Sequence, residues 1–366
     1  MFVKSLYVAA GGGGDALAAA IVHRALGHDE PALIATYAWD RLAVDPRPGP
    51  RGVADFTRLR RLGRDVHAFR KGTRARPPSR STLPRLAGDL ADTIVLLDPA
   101  GGAAGLAEQL GGMVALTGAT GVTVLDVGGD AVARGDEPTL RSPLADALAL
   151  AAVARLGLPA TVLVAGPGLD GELTEAEVLA VTGPEPTLRL TDADVTPFRA
   201  VFTWHPSETT ALLVAAARGL RGLVEIRDAG LGVALTDASA GVHTLALADA
   251  LAANRLAAAL GATTSLDAVE DITRRVCGRS EIDYERAKAG RWAAATPEAP
   301  PVGDLDRMVA DVEAIAAGRG ADFLTFRRIA EATGLPPGAV AGLRDRLVAA
   351  RPARYVWPLW SLTAAR

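Results

Sequence analysis

Short, continuously apolar runs alternate with longer alanine- and leucine-rich stretches through the first half of the chain. Phe2 to Ala10, Pro31 to Trp39, Thr93 to Leu97, Val122 to Leu125 and Thr161 to Ala165 carry no polar alternation, as strands covered on both faces do. Between them the spacing predicts helices: one from the glycines after Ala10 to about Leu26, one over Ala104 to Leu110, and one from Ser142-Pro143 to about Leu156. In the last of these, Ser142 stands as N-cap and Pro143 as the first helical residue. Thr174-Glu-Ala-Glu177 reads as a capping box opening a further helix. The alternation predicts an α/β fold with a mostly parallel sheet and helices on both faces.

Other stretches break this rhythm. Residues 41–85 form a proline-rich insertion with a short helix expected at Phe56 to Leu62. Phe202 to Thr210 leads into a helix ending near Gly219, Gly222 to Asp228 and Gly232 to Thr236 alternate like paired strands, and Val242 to Leu260 reads as mostly helical. Pro297, Pro300 and Pro301 mark a composition break, dividing the chain into a domain over 1–295 and a small module over 303–366.

In that module Phe326 to Leu347 reads as helix, turn, helix, with Ile329, Ala330, Leu335, Val340, Leu343 and Leu347 as its apolar stripe. A strand over Arg354 to Leu362 would make it winged-helix-like. Arg344, Arg346, Arg351 and Arg354 are available for phosphates, but Pro336, Pro337, Gly338 and Ala339 give the second helix little with which to read base edges. Nucleic acid is therefore not the expected partner. Docking over the active-site face of the main domain, or homo-oligomer formation, is the expected role.

Composition narrows the class. The chain has 366 residues, 49% hydrophobic and 22% charged, with a net charge of −3, which argues against bulk electrostatic binding of nucleic acid. The single cysteine, Cys277, excludes an intramolecular disulfide and a cysteine-based zinc site. Gly11 and Asp15 interrupt the N-terminal apolar run too early for a signal-peptide core, and no apolar run is long enough to span a bilayer, so a cytoplasmic protein with no membrane partner is expected. Residues 41–85 hold 13 Lys or Arg against Asp45, Asp55 and Asp65, either a solvated insertion or a basic loop that closes over an anionic ligand.

The candidate chemistry lies where the strands end. Gly11, Gly12, Gly13 and Gly14 follow the first strand and open a helix, as a phosphate-binding turn does, and Asp15 follows at the position of a cap, a metal ligand or a sugar-hydroxyl acceptor. Gly11-x-Gly13-x-x-Ala16 also fits the dinucleotide fingerprint, with Asp40 as its ribose partner. The third strand ends at Asp98. The fourth ends at Asp126-Val-Gly128-Gly129-Asp130, followed by Asp136 and Glu137, and the fifth at Gly166-Pro-Gly-Leu-Asp170-Gly-Glu172. In open α/β sheets ligands bind outside the carboxyl ends of the strands, so these loops are expected to converge. Asp126 and Asp130 are the expected ligands of a Mg²⁺ ion or of ribose hydroxyls. For each Asp taken singly, a turn-capping role is the competing account. His205 and Glu208, at the start of a helix, are candidates for proton transfer, Glu208 alternatively for complementing the helix dipole, while His243 reads as a core residue. No P-loop, G-x-S-x-G elbow, H-E-x-x-H or C-x-x-C is present.

Gly11-Gly-Gly-Gly-Asp15, Asp126-Val-Gly-Gly-Asp130 with Gly135-Asp-Glu137, Ser142-Pro-Leu-Ala-Asp146 and Gly166-Pro-Gly-Leu-Asp170-Gly-Glu172 occur in an order that resembles an uncharacterised archaeal and actinobacterial family, grouped as a domain of unknown function. The resemblance runs to about residue 290 and implies a Rossmann-like α/β core; the family brings no established activity. The residues themselves lead us to expect an enzyme that hydrolyses or transfers a group on a nucleotide or phosphorylated sugar-like metabolite. Asp126, Asp130, Glu208 and His205 are the expected catalytic residues, and Mg²⁺ is the only cofactor indicated. The alternatives are a nucleotide-sensing regulator acting through the C-terminal module and a non-catalytic scaffold.

Overall fold

The computed structural model describes residues 5–227, 229–294, 302–335 and 338–363. The proline break at Pro297, Pro300 and Pro301, and Pro336 with Pro337, lie outside them.

Five parallel strands form the centre of a nine-stranded sheet: β1 (Leu6–Ala9), β2 (Leu33–Tyr37), β3 (Thr93–Leu97), β4 (Val122–Val127) and β5 (Ala160–Ala165). They lie in the order β3-β2-β1-β4-β5. The chain winds outward from β1 through β2 to β3, then returns to the other side of β1 for β4. The gap between β1 and β4 is therefore the topological switch point, and the order is that of the dinucleotide-binding folds.

Antiparallel strands extend both flanks. Gly241–Ala246 pairs with β5, and Leu188–Arg189 closes that edge. Val66–Ala68 and Arg60–Gly63 extend the sheet beyond β3. Two sequence expectations are corrected here. Phe56 to Leu62 is not helical: Phe56 turns inward onto Phe69, ring centroids 5.1 Å apart, and Arg60–Gly63 finds a partner strand. Val242 to Leu260 is mostly helical, but it begins as a strand because Val242 to Ala246 pair with β5, Val242 packing on one face of the sheet and Leu245 on the other; helix starts only at Leu247.

Helices cover both faces. α1 (Gly13–Ala25) and α3 (Glu208–Ala217) pack on one, and α2 (Pro143–Ala154) lies on the other. α1 is so rich in Ala, Leu, Ile and Val that it is buried from Ala16 to His23. α4 (Glu281–Ala294) follows the second half of the domain. No helix among the described residues is long and apolar enough to cross a membrane.

The C-terminal residues run helix Val302–Gly318, strand Phe323–Leu324, helix Phe326–Ala332, helix Val340–Ala350 and a hairpin of Tyr355–Val356 with Leu359–Ser361. Phe323–Leu324 pairs in parallel with Gly222–Ile226, so these strands and the hairpin partner Leu231–Leu235 form one five-stranded sheet. The four arginines read as free for phosphates are engaged within the chain. Arg344 donates to the Phe202 carbonyl at 3.1 Å, Arg346 pairs with Asp306 at 2.8 Å, and Arg351 and Arg354 both pair with Glu313.

Candidate functional site

At the switch point the strand ends open into a cavity of about 180 Å³ lined by Gly11 to Gly14, Asp15, Asp126, Asp130, Asp170, His205 and Glu208, as well as residues of α2, α4 and the C-terminal segment. The loops that form it are tied together. Gly128 N donates to the Ala165 carbonyl at 3.0 Å, and Gly168 N donates to the Gly128 carbonyl at 2.7 Å. Gly128 and Gly129 have φ of 119° and 132°, in the left-handed region glycine tolerates, and a Cβ on Gly128 would stand 2.2 Å from the Asp170 carboxylate. Gly128, Gly129 and Gly166 thus shape the rim without lining it.

The four glycines before α1 serve close approach. None has a positive φ; Gly12, the N-cap, is extended at φ −94°. A Cβ on Gly12 would lie 2.6 Å from the Trp39 carbonyl oxygen, and one on Gly14 would lie 2.3 Å from Ser207 Oγ. The N–H groups of Gly13 and Gly14 open α1 and have no carbonyl a turn earlier to donate to. Asp15 takes the Gly11 N–H instead, at 2.9 Å.

Asp15 meets Asp126, at the end of β4, and Asp146, in the first turn of α2. The three present carboxylate oxygens within 4.8 Å of one another. Asp130 lies beside this group, with Oδ2 3.4 Å from Ser142 Oγ and Oδ1 buried without a partner. Burial, and then the neighbouring carboxylates, push Asp126, Asp130 and Asp146 well above the ordinary range. Burial brings Asp15 up to about 7, and burial followed by the Glu172 charge brings Asp170 up to about 6. Glu172 goes the other way. Burial alone would raise it, but Arg227 at 2.9 Å, Arg41, the Arg141 and Ser142 N–H groups and the Ser142 hydroxyl hold it down. Ser142 stands at the N-cap of α2 but makes no side-chain cap bond, its hydroxyl being turned to Glu172.

His205 is buried. Its Nδ1 accepts from Ser207 N at 3.3 Å, which leaves Nε2 as the protonated nitrogen, without a partner and directed toward Gly13. Burial holds its pKa down at about 4, so at neutral pH it presents a neutral N–H donor to the cavity. Glu208 is occupied: it accepts from Arg227 N at 3.1 Å and from the Thr325 hydroxyl, and pairs with Arg327 at 3.3 Å. The two residues do not form a direct acid–base pair.

Two expected residues are diverted. Asp98 stands outside the cavity, accepting from Val53 N at 2.7 Å and Ala100 N at 3.1 Å. Asp40 lines the cavity but accepts from the Thr82 hydroxyl at 2.6 Å, which occupies the carboxylate that a ribose would need. Reasoning on the sequence named Asp146 only within the Ser142-Pro-Leu-Ala-Asp146 motif and Arg41 only within the basic insertion, and gave no role to Arg227, Lys288 and Arg327; all five line the cavity. Asp146 carried a signal, being the only charged residue in the apolar run Pro143–Ala154.

Residues 6–289 match the family described as a protein of unknown function, DUF1152, and the chain belongs to that family. No curated protein and no solved structure matches it.

Proposed function

We propose that the switch-point cavity binds a nucleotide or phosphorylated sugar-like metabolite and catalyses hydrolysis or group transfer at its glycosidic or phosphoester bond, with Mg²⁺ assisting. One observation carries this reading: the open N-terminus of α1 and the partnerless His205 Nε2–H face the same cavity as the carboxylates of Asp15, Asp126 and Asp130. Helix N–H groups and a neutral imidazole donor suit phosphate oxygens. A carboxylate floor suits a cation bridging that phosphate to the protein, or a proton acceptor for the attacking group. Asp126 and Asp130 are the groups closest to such chemistry; His205 serves as a donor, and Glu208 sets the position of Arg327.

The runner-up is a ligand-sensing regulator. The C-terminal order of helix, strand, helix, helix and hairpin is compatible with the winged-helix-like module this reading calls for. The engagement of Arg344, Arg346, Arg351 and Arg354 within the chain favours docking on the main domain over binding to nucleic acid.

Incubating the full chain with nucleotides and sugar phosphates in Mg²⁺, followed by phosphorus and proton NMR, separates the two. Consumption of one ligand class, abolished by Asp130→Asn with the fold intact, is the expected result. Binding without turnover across the panel would favour the regulator.

A further inference from the structure

We propose that Asp15, Asp126 and Asp146 together hold one hard divalent cation, Mg²⁺ or Mn²⁺, and that this ion must be in place before an anionic ligand enters the cavity. The site differs from the Asp126 and Asp130 pair suggested by sequence spacing, and it deepens the reading above by fixing where the ion sits and the order of binding.

The first support is geometric. Oxygens within 4.8 Å of one another are close to what one ion demands, since opposite ligands of an octahedral Mg²⁺ are separated by about 4.2 Å. The three come from separate elements: the first turn of α1, the end of β4 and the first turn of α2. All three elements are anchored by core packing, so the oxygens are held at this spacing by the fold.

The second support is the oxygens that have nothing to bind. Asp146 is only 5% exposed and lines the cavity, and its Oδ1 is buried without a hydrogen-bond partner. An Asp early in a helix often serves only to complement the dipole or cap the turn. Asp146 Oδ1 accepts no N–H, so capping does not account for it. Buried carboxylate oxygens left unpartnered are costly, and a metal ion satisfies them.

The third support is charge. The cavity lining contains ten Asp or Glu and five Lys or Arg. Three of the five cations are paired with other carboxylates: Arg41 with Glu281 at 2.8 Å, Arg227 with Glu172 at 2.9 Å, Arg327 with Glu208 at 3.3 Å. No ion pair among the described residues involves Asp15, Asp126, Asp130 or Asp146. A phosphate approaching the α1 N-terminus would meet clustered carboxyl oxygens that no cationic side chain pairs. A divalent cation reverses the sign where the ligand must sit. Gly13, Gly14 and His205, which line the same cavity, would supply hydrogen-bond donors to the phosphate oxygens.

The test titrates Mn²⁺ into chelator-treated full-length protein by calorimetry and electron paramagnetic resonance, then repeats the titration with inorganic pyrophosphate, with and without the metal. We expect one Mn²⁺ per chain, with affinity reduced more than about tenfold in Asp146→Asn and unchanged in Asp98→Asn. Because Asn keeps the shape of Asp146 and takes one carboxyl group out of a crowded cluster, the metal-free variant should melt no lower than wild type. If it fails to fold, Asp15→Asn is read in its place. Pyrophosphate should bind only in the presence of Mn²⁺. The absence of Mn²⁺ binding to folded wild-type protein would overturn the proposal, as would unchanged affinity in both variants or pyrophosphate binding that ignores the metal. Mn²⁺ binding at these residues with no affinity for any phosphorylated compound would support the ion site while removing the function proposed above.

Discussion

Glu208 and Arg327 face each other across the boundary between the sheet domain and the C-terminal segment, with Oε2 and Nη1 3.3 Å apart and both side chains largely buried. The same carboxylate accepts from the hydroxyl of Thr325, the N-cap of the helix Phe326–Ala332, and from the backbone N–H of Arg227. Arg227 is held at φ 61°, an uncommon conformation for a residue with a side chain. One carboxylate therefore fixes the start of α3, the end of the strand Gly222–Ile226 and the entry to the C-terminal helices.

Glu208 is accordingly predicted to act through structure. Glu208→Gln keeps the shape but leaves Arg327 with only Glu331, and should cost about 3 kcal/mol of stability in urea unfolding. Unchanged stability with complete loss of turnover would instead assign Glu208 to proton transfer.

His205 makes a prediction about pH. Its folded pKa, about 4, lies below the unfolded value of 6.5 because burial disfavours the charged ring. A depressed folded pKa means that stability is fully present above 6.5 and is lost as pH falls toward 4. The loss is on the order of 3 kcal/mol for this group. Comparing urea midpoints of wild type and His205→Gln across that range cancels the opposing titration of the raised carboxylates. Wild type should lose ground to the variant as the pH drops; parallel curves would show that the imidazole is already solvated.

The glycine run separates close approach from flexibility. Gly12→Ala would press a methyl against the Trp39 carbonyl, which is backbone and cannot swing away, and should cost about 1–3 kcal/mol. Gly111→Ala, inside the helix Gly102–Thr117 with nothing within 4 Å of its would-be Cβ, should stabilise by about 0.5–1 kcal/mol. Thermal unfolding of the two variants checks both signs.

Much of this architecture was legible in the sequence because it is local. Continuous apolar runs gave the parallel strands, and Thr174 with Glu177 forms the capping box read from its spacing. The strand Gly241–Ala246 was hidden because it runs without a break into the alanine- and leucine-rich helix Leu247–Ala253, and only pairing with β5 decides it. The convergence of Asp15, Asp126, Asp130 and Asp170 followed from the expectation that strand ends meet, but which carboxylates touch depends on strand order, which periodicity does not encode. Asp98 has the same local surroundings as Asp126, a buried strand running into glycines. It differs because β3 lies two strands from the switch point, where Val53 reaches it first. Arg327 comes from a segment beyond residue 289, the limit of the family match, and has no local signal of its role.

The most direct test of the central claim is a thermal-shift panel of nucleotides, nucleosides and sugar phosphates on full-length protein, each with and without Mg²⁺, in wild type and Asp126→Asn. A ligand at about a hundred times its dissociation constant stabilises the fold by about 2.7 kcal/mol, a readily measured shift. The account predicts a phosphorylated compound that stabilises wild type only with Mg²⁺, while its unphosphorylated counterpart does not, and that loses its effect in Asp126→Asn. A panel with no shift under any condition, or a shift that survives both metal removal and Asp126→Asn, would contradict it.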